Sequence, residues 1–298
     1  MSRPAVLVLG AGGMLGHMVT TVLSRDDVLD VTATTRPGGT APPQISRVTW
    51  QEFDATHGDL ARLLDTLPTI GWVVNAIGVI KPFIGDDLAS RHRAIDINAD
   101  FPHRLTSVAA DRGVRVIQPA TDCVFSGTCG PYSESSPHDP TDVYGKTKSL
   151  GEVPSEVVMH LRASIIGPEL GTPVSLLGWL LSRERDADLV GFDNHLWNGV
   201  TTLEFARVTA GVIRSEYFVP GACHLVPADE ITKGDLLVAI AKAFGRDDLR
   251  ITMSPASEPI DRRLTTSDFH RNHELWSIAG YDSAPAIGEM LTTLSRFP

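Results

Sequence analysis

With 298 residues, 42% of them hydrophobic and 21% charged, the chain has apolar material for one large α/β domain or two coupled ones, which excludes disorder, collagen and coiled coil. A formal net charge of −10 opposes the basic footprint that binding a phosphate backbone requires, so nucleic acid is not an expected partner. The three cysteines, Cys123, Cys129 and Cys223, fit neither a disulfide framework nor a four-ligand zinc site, and the ten histidines show no H-E-x-x-H spacing; a reducing compartment and no bound metal are expected.

The apolar run 5–9 (AVLVL) reads as a first strand. Beside Arg3 it resembles the start of a signal peptide, but glycines at 10, 12, 13 and 16 interrupt it. No other segment reaches the ~18 uninterrupted apolar residues of a membrane span, so a soluble, cytoplasmic protein is expected. The turn Gly10-Ala11-Gly12-Gly13-Met14-Leu15-Gly16 follows directly and opens a helix over 13–24. Leu15 stands where G-x-G-x-x-G needs its last glycine, which leaves the G-x-x-G-x-x-G spacing of short-chain dehydrogenases through Gly10, Gly13 and Gly16. Glycine permits the tight turn and lets backbone N–H groups at a helix N-terminus approach a pyrophosphate, so Gly10, Gly13, Met14, Leu15 and Gly16 are candidate cofactor contacts. An ordinary strand–helix turn would use the same glycines for sterics alone.

A second strand, 29–34, runs into Thr34-Thr35-Arg36, about 20 residues past the turn, where a carboxylate would meet a free ribose 2′-hydroxyl. Arg36 pairs instead with a 2′-phosphate, so NADP(H) is preferred, with NAD(H) the alternative. Strand 47–50 precedes Asp54, placed for the adenine edge, and helix 58–66. Strand 72–75 ends at Asn75-Ala76, a small surface over which a dinucleotide can lie. Helix 86–112, strand 114–118, helix 142–153 and strand 157–162 complete the alternation of a Rossmann-type, doubly wound parallel sheet covered by helices on both faces. Past Arg162 the alternation weakens: 163–200 is rich in glycine, tryptophan and turn residues, 203–215 is helical, 222–226 returns a last strand, 231–245 is an amphipathic helix, and 251–264 contains proline. The expected division is a nucleotide-binding domain over 1–166, to which 203–228 returns, and a discontinuous substrate domain over 167–202 and 229–298.

Tyr144-Gly145-Lys146-Thr147-Lys148 places Tyr144 and Lys148 on one helix face, a turn apart. A phenol with an ordinary pKa of about 10 needs positive charge nearby to exchange a proton near neutrality, and Lys148 can supply it. Upstream, after the fifth strand, Thr121 can join Tyr144 as a second hydroxyl donor to an oxygen that gains negative charge as hydride arrives. A surface helix pair and a capping threonine are the bland readings of the same residues.

The segments GAGGMLG, TDCVFSG and PTDVYGKTKSLGE resemble the dTDP-4-dehydrorhamnose reductase branch of the extended short-chain dehydrogenases, closely over 4–166 and loosely beyond. The resemblance implies a nucleotide-binding sheet with a smaller C-terminal domain that grips a nucleotide-diphosphate sugar. It implies Thr121, Tyr144 and Lys148 as catalytic residues, with hydride delivered to C4 of a 4-keto-6-deoxyhexose, Tyr144 protonating the alkoxide, and Lys148 orienting the nicotinamide ribose while lowering the tyrosine pKa. Asn98 falls on the helix that supports this site. Two departures stand out: Ala120-Thr121-Asp122-Cys123 replaces the family's common Ser-Thr-Asp-Tyr, which makes Cys123 a packing residue where an aromatic substrate contact is usual, and 75–81 is bulkier than the usual small-residue segment. Candidate substrate readers are Lys81, Cys123, Arg162, His195, Trp197, Asn198, Thr201, Arg262 and Arg263, with a well-packed loop around a core tryptophan as the competing reading of 194–202. A homodimer is the assembly considered. Two other activities fit the motifs: an epimerase of the same fold, and a non-catalytic NADP-binding regulatory subunit, as in the partner of methionine adenosyltransferase.

Overall fold

The computed structural model describes residues 3–42, 45–67 and 69–298. Strands β1 (Ala5–Leu9), β2 (Asp30–Thr35), β3 (Val48–Glu52), β4 (Trp72–Asn75), β5 (Arg115–Ala120) and β6 (Val158–Arg162) interleave with helices α1 (Met14–Ser24), α2 (Leu60–Thr66), α3 (Leu88–Ile95), α4 (Phe101–Arg112) and α5 (Val143–Leu150). Then follow β7 (Ile165–Ile166), α6 (Leu176–Leu181), β8 (Asp188–Phe192), β9 (His195–Trp197), β10 (Val200–Thr201), α7 (Thr202–Ser215), β11 (Gly221–His224), β12 (Ile231–Thr232), α8 (Lys233–Ala243), β13 (Arg250–Ser254), β14 (Ile260–Asp261), α9 (Phe269–Ile278) and α10 (Ile287–Ser295).

Seven strands pair in parallel in the order β11-β6-β5-β4-β1-β2-β3, the doubly wound α/β architecture expected. The order reverses between β1 and β4, and at such a switch point the loops leaving the strands diverge and open a crevice for a ligand. Val6 to Leu9 are fully buried because both faces of the sheet are covered, which is why the strands read as continuous apolar runs. On one face Leu7, Leu9, Val73 and Val116 pack with Phe101 and Leu105 of α4. On the other, Val6, Val8 and Val74 pack with Val19 and Leu23 of α1 and Val208 and Val212 of α7, a core that continues into Leu236 and Ile240 of α8 and Leu291 of α10. Helix α7 packs on α1 and β11 pairs with β6, so this later segment joins the seven-stranded layer. Among the described residues no helix is long and apolar enough to cross a membrane.

The helix expected over 86–112 is broken by one π turn, Asp96–Asp100, between α3 and α4. Pro102 has no N–H to give the Asn98 carbonyl, and Phe101 N–H bonds to Asp96 instead. Gly151 then packs on the released Asn98 carbonyl so closely that a Cβ there would stand 2.0 Å from its oxygen.

The remaining strands form three small sheets, β12-β9-β14, β13-β8 and β10-β7. These strands, of two to five residues, and helices α6, α9 and α10 lie where no periodicity was read, except β12, which takes the first two residues of the helix expected over 231–245. Each of the strands gains its identity from pairing: β13 lies in register with β8 across 62 residues of sequence, as Arg250 with Asp188.

Candidate active site

The glycine turn divides into residues demanded by the fold and residues left open. Gly10 has φ +82°, a left-handed conformation that L side chains avoid, and a Cβ on Gly16 would stand 2.2 Å from the Gly10 carbonyl oxygen. Gly12 and Gly13 are exposed, and an added Cβ on Gly12 would meet nothing within 4 Å. Gly13 caps α1 without a side-chain hydrogen bond, so the first-turn N–H groups there, those of Met14 and Leu15 among them, face open space at the positive end of the helix. A pyrophosphate fits that cradle. The turn is fastened to β2 by Gly10 N–H to Thr34 Oγ1 (3.1 Å) and Ala11 N–H to the Thr34 carbonyl (2.9 Å), and Arg36 stands exposed just beyond.

Two cofactor candidates are occupied by the protein itself. Asn75 is buried between strands, donating to Gln118 Oε1 (2.8 Å) and accepting from Ile77 N–H (3.2 Å), so its amide is not free for a dinucleotide; Ala76 keeps a partly exposed surface there. Asp54 accepts from Thr56 N–H (2.8 Å), the foremost reason its pKa lies below the ordinary carboxylate value.

Around β5 and α5 the chemistry converges. Thr121 follows β5, its hydroxyl accepting from Cys123 N–H (3.1 Å) and donating to Asp122 Oδ1 (3.2 Å). Asp142 caps α5 by accepting from Gly145 N–H (2.8 Å) and pairs with Lys81 Nζ (2.8 Å). A Cβ on Gly145 would lie 2.2 Å from the Cys123 carbonyl oxygen, so glycine lets α5 press onto the Thr121–Cys123 turn and brings Tyr144 beside it. Asn98 braces this arrangement: its amide exchanges hydrogen bonds with Val79 N–H (2.8 Å) and carbonyl (2.9 Å) and donates to Thr147 Oγ1 (3.3 Å) on α5.

Burial first, then Cys123, pushes the Tyr144 pKa above its ordinary value; the Thr121 hydroxyl, a hydrogen-bond partner, acts in the opposite direction, and Asp122 and Asp142 add to the rise. Lys148 is not among the largest influences on it: its ammonium donates to the Pro119 carbonyl (3.1 Å), and burial draws its own pKa down against the pull of Glu152. Tyr144 is therefore held protonated. Burial and then Asp122 likewise push the Cys123 thiol up to about 12, so it is no nucleophile.

The remaining substrate candidates fare differently. Arg162 is 1% exposed, its guanidinium committed to Glu152, His224 and His138 and laid over the Phe125 ring, so it is a structural cation and not a substrate contact. Trp197 is a core residue whose indole N–H donates to Ser164 Oγ (2.7 Å). Asn198 clamps Leu264 through both amide atoms (2.6 and 2.9 Å), Thr201 donates to Glu204, and Arg263 is paired with Asp261 and Glu230. His195 Nε2 meets the Glu258 carbonyl (3.1 Å). Arg262 alone of this group reaches the site: Nε donates to the Phe125 carbonyl (2.9 Å) and its charge acts on Cys123 and Asp142. Lys233, which sequence reading passed over, faces the same cleft, since Asp122, Cys123 and Arg262 all act on it. Its one signal was a cation in the first turn of a helix, at the wrong end of the macrodipole.

The family described as the RmlD substrate binding domain matches residues 4–271. The chain belongs to that family. Among its relatives, a dTDP-4-keto-6-deoxy-D-glucose reductase of Streptomyces niveus is 27% identical across 92% of this chain and 90% of its own length. The methionine adenosyltransferase 2 subunit beta of Bos taurus is 30% identical across 80% of this chain and 72% of its own. A dTDP-4-dehydrorhamnose reductase of Bacillus anthracis, solved in complex with NADP, shares the fold with a TM-score of 0.73 at 14% identity, over 98% of either chain.

Proposed function

We propose that this member of the RmlD substrate binding domain family is an NADPH-dependent reductase of nucleotide-diphosphate-linked 4-keto-6-deoxyhexoses, reducing the C4 ketone. The observation that carries the reading is the protonated Tyr144 hydroxyl beside Thr121 at the carboxyl edge of the sheet, on the same helix as Lys148. Reductases named for such substrates among the relatives support it.

Bound NADPH supplies the hydride. The open N-terminus of α1 would hold its pyrophosphate, with Gly10 and Gly16 shaping the turn, and Arg36 its 2′-phosphate. Tyr144, and Thr121 once its hydroxyl turns from Asp122 Oδ1, orient and polarise the ketone by donating to its oxygen; as charge grows there, Tyr144 gives up its proton, a step worth ~10²–10⁴-fold. A phenol held above its ordinary pKa suits an acid that protonates an alkoxide, and does not suit the tyrosinate base that oxidation of an alcohol requires. Lys148 ties α5 to the Pro119 carbonyl and fixes the tyrosine in place.

The 30% identity to an adenosyltransferase subunit supports a second reading, an NADP-binding regulatory subunit. An assay of NADPH depletion across a panel of 4-keto deoxysugar nucleotides separates them. Stoichiometric depletion with ketone loss is expected; sugar interconversion without depletion indicates an epimerase, and cofactor binding without turnover indicates the subunit.

A further inference from the structure

With Arg162, Trp197, Asn198 and Thr201 spent on the fold itself, two other side chains bring positive charge to the Asp122–Cys123 turn. Lys233 begins α8, and β12 places it: Ile231 and Thr232 pair with Trp197 and Leu196 of β9, which sets the Lys233 ammonium 5.0 Å from the centroid of the Trp197 ring. Among the described residues that ring is its partner, with no hydrogen bond or ion pair to Lys233. Thr232 accepts from Asp235 N–H, so the helix is already capped and gains nothing from a lysine at its positive end. A cation that breaks a local rule and is left without a carboxylate belongs to a site.

Arg262 follows β14, on the other side of β9. Strand spacing of ~4.8 Å puts the two backbones ~10 Å apart, a gap that two long side chains can close from opposite sides. Beyond the Nε bond to Phe125, among the described residues the Arg262 guanidinium is in no ion pair, whereas its neighbours Arg263 and Lys81 are each held by a carboxylate. Both cations therefore act on the Asp122–Cys123 turn without an ion pair of their own, next to the residues that would donate to the reacting carbonyl.

We propose that Lys233 and Arg262 together bind the diphosphate of the nucleotide-linked substrate, with Lys233 the residue that selects a diphosphate over an uncharged group. Two positive charges match the two negative charges of the diphosphate, which neutral sugar hydroxyls do not. The assignment rests on the nucleotide-sugar reading above. It also makes affinity pH-dependent. Burial is the largest influence on Lys233 and brings its pKa down to about 8, with Asp122 and Cys123 pulling up and Arg262 pushing down. Lys233 carries its charge below that value and loses it above, so the wild-type protein binds a diphosphate less well as the pH is raised through about 8.

The test is calorimetric titration of dTDP, UDP, thymidine and uridine into the wild-type protein, Lys233→Met and Lys233→Arg, with NADPH binding followed by fluorescence. Lys233→Met keeps a stem of similar length over Trp197 and is expected to weaken the diphosphates by roughly 10- to 100-fold, the loss of one charge-assisted contact. NADPH affinity should be unchanged, Lys233→Arg should recover most of the loss, and the alkaline decline should vanish in Lys233→Met. Wild-type affinity for dTDP and UDP in Lys233→Met, or an alkaline decline that persists there, overturns this assignment and leaves the nucleotide-sugar reading standing. If the wild-type protein binds neither diphosphate, both fall.

Discussion

The two lobes use their polar residues in opposite ways. At the carboxyl edge of the large sheet the first turn of α1 presents donors to open space, and Thr121 and Tyr144 stand together where Asn98 and Asp142 brace α5. In the smaller lobe, Asn198, Thr201 and Arg263 look equally suited to a ligand but are consumed in holding short sheets and loops together. A lobe built from two- to five-residue strands has few backbone bonds per strand and leans on side chains for its shape, so fewer remain for a ligand.

That contrast is breakable. Tyr144→Phe should lower kcat/KM for ketone reduction by ~10²–10⁴-fold while leaving the melting temperature and NADPH affinity near wild type; a variant at full rate would remove the large sheet's edge from the chemistry. Arg162→Met is expected to do the reverse, costing about 3–5 kcal/mol of stability in denaturant titration because Glu152 is left buried without its cation. A substrate contact would instead raise KM and spare the fold. The smallest effect concerns the cofactor: Arg36→Ala should raise the KM for NADPH by roughly 10- to 100-fold and leave that for NADH unchanged, and an equal change in both would show that Arg36 does not read the 2′-phosphate.

The large sheet was legible because its strands are buried on both faces and its turns are dictated locally. Gly10 and Gly16 pack against each other, and Gly145 packs on the Cys123 carbonyl, so the residues that make those motifs recognisable are also those the backbone cannot replace. The π turn escaped sequence reading because the side chains of 86–112 keep a helical period through it; only Pro102 marked the missing donor. The packing of Trp197 and Asn198 was not legible for a different reason. Their partners, Ser164 and Leu264, lie 33 and 66 residues away, a distance over which composition says nothing. Lys233 was passed over because an amphipathic helix accounts for it fully until its surroundings are known.

The account turns on hydride reaching a substrate ketone beside Tyr144, and isotope transfer tests that most directly. The wild-type protein is mixed in a single turnover with NADPH carrying deuterium at the reactive nicotinamide position and with a nucleotide-linked 4-keto-6-deoxyhexose, and the sugar product is examined by mass spectrometry and NMR. One deuterium at C4 of a newly formed alcohol, with one equivalent of cofactor oxidised, is the predicted result. A recovered ketone, or a product free of deuterium, would contradict it.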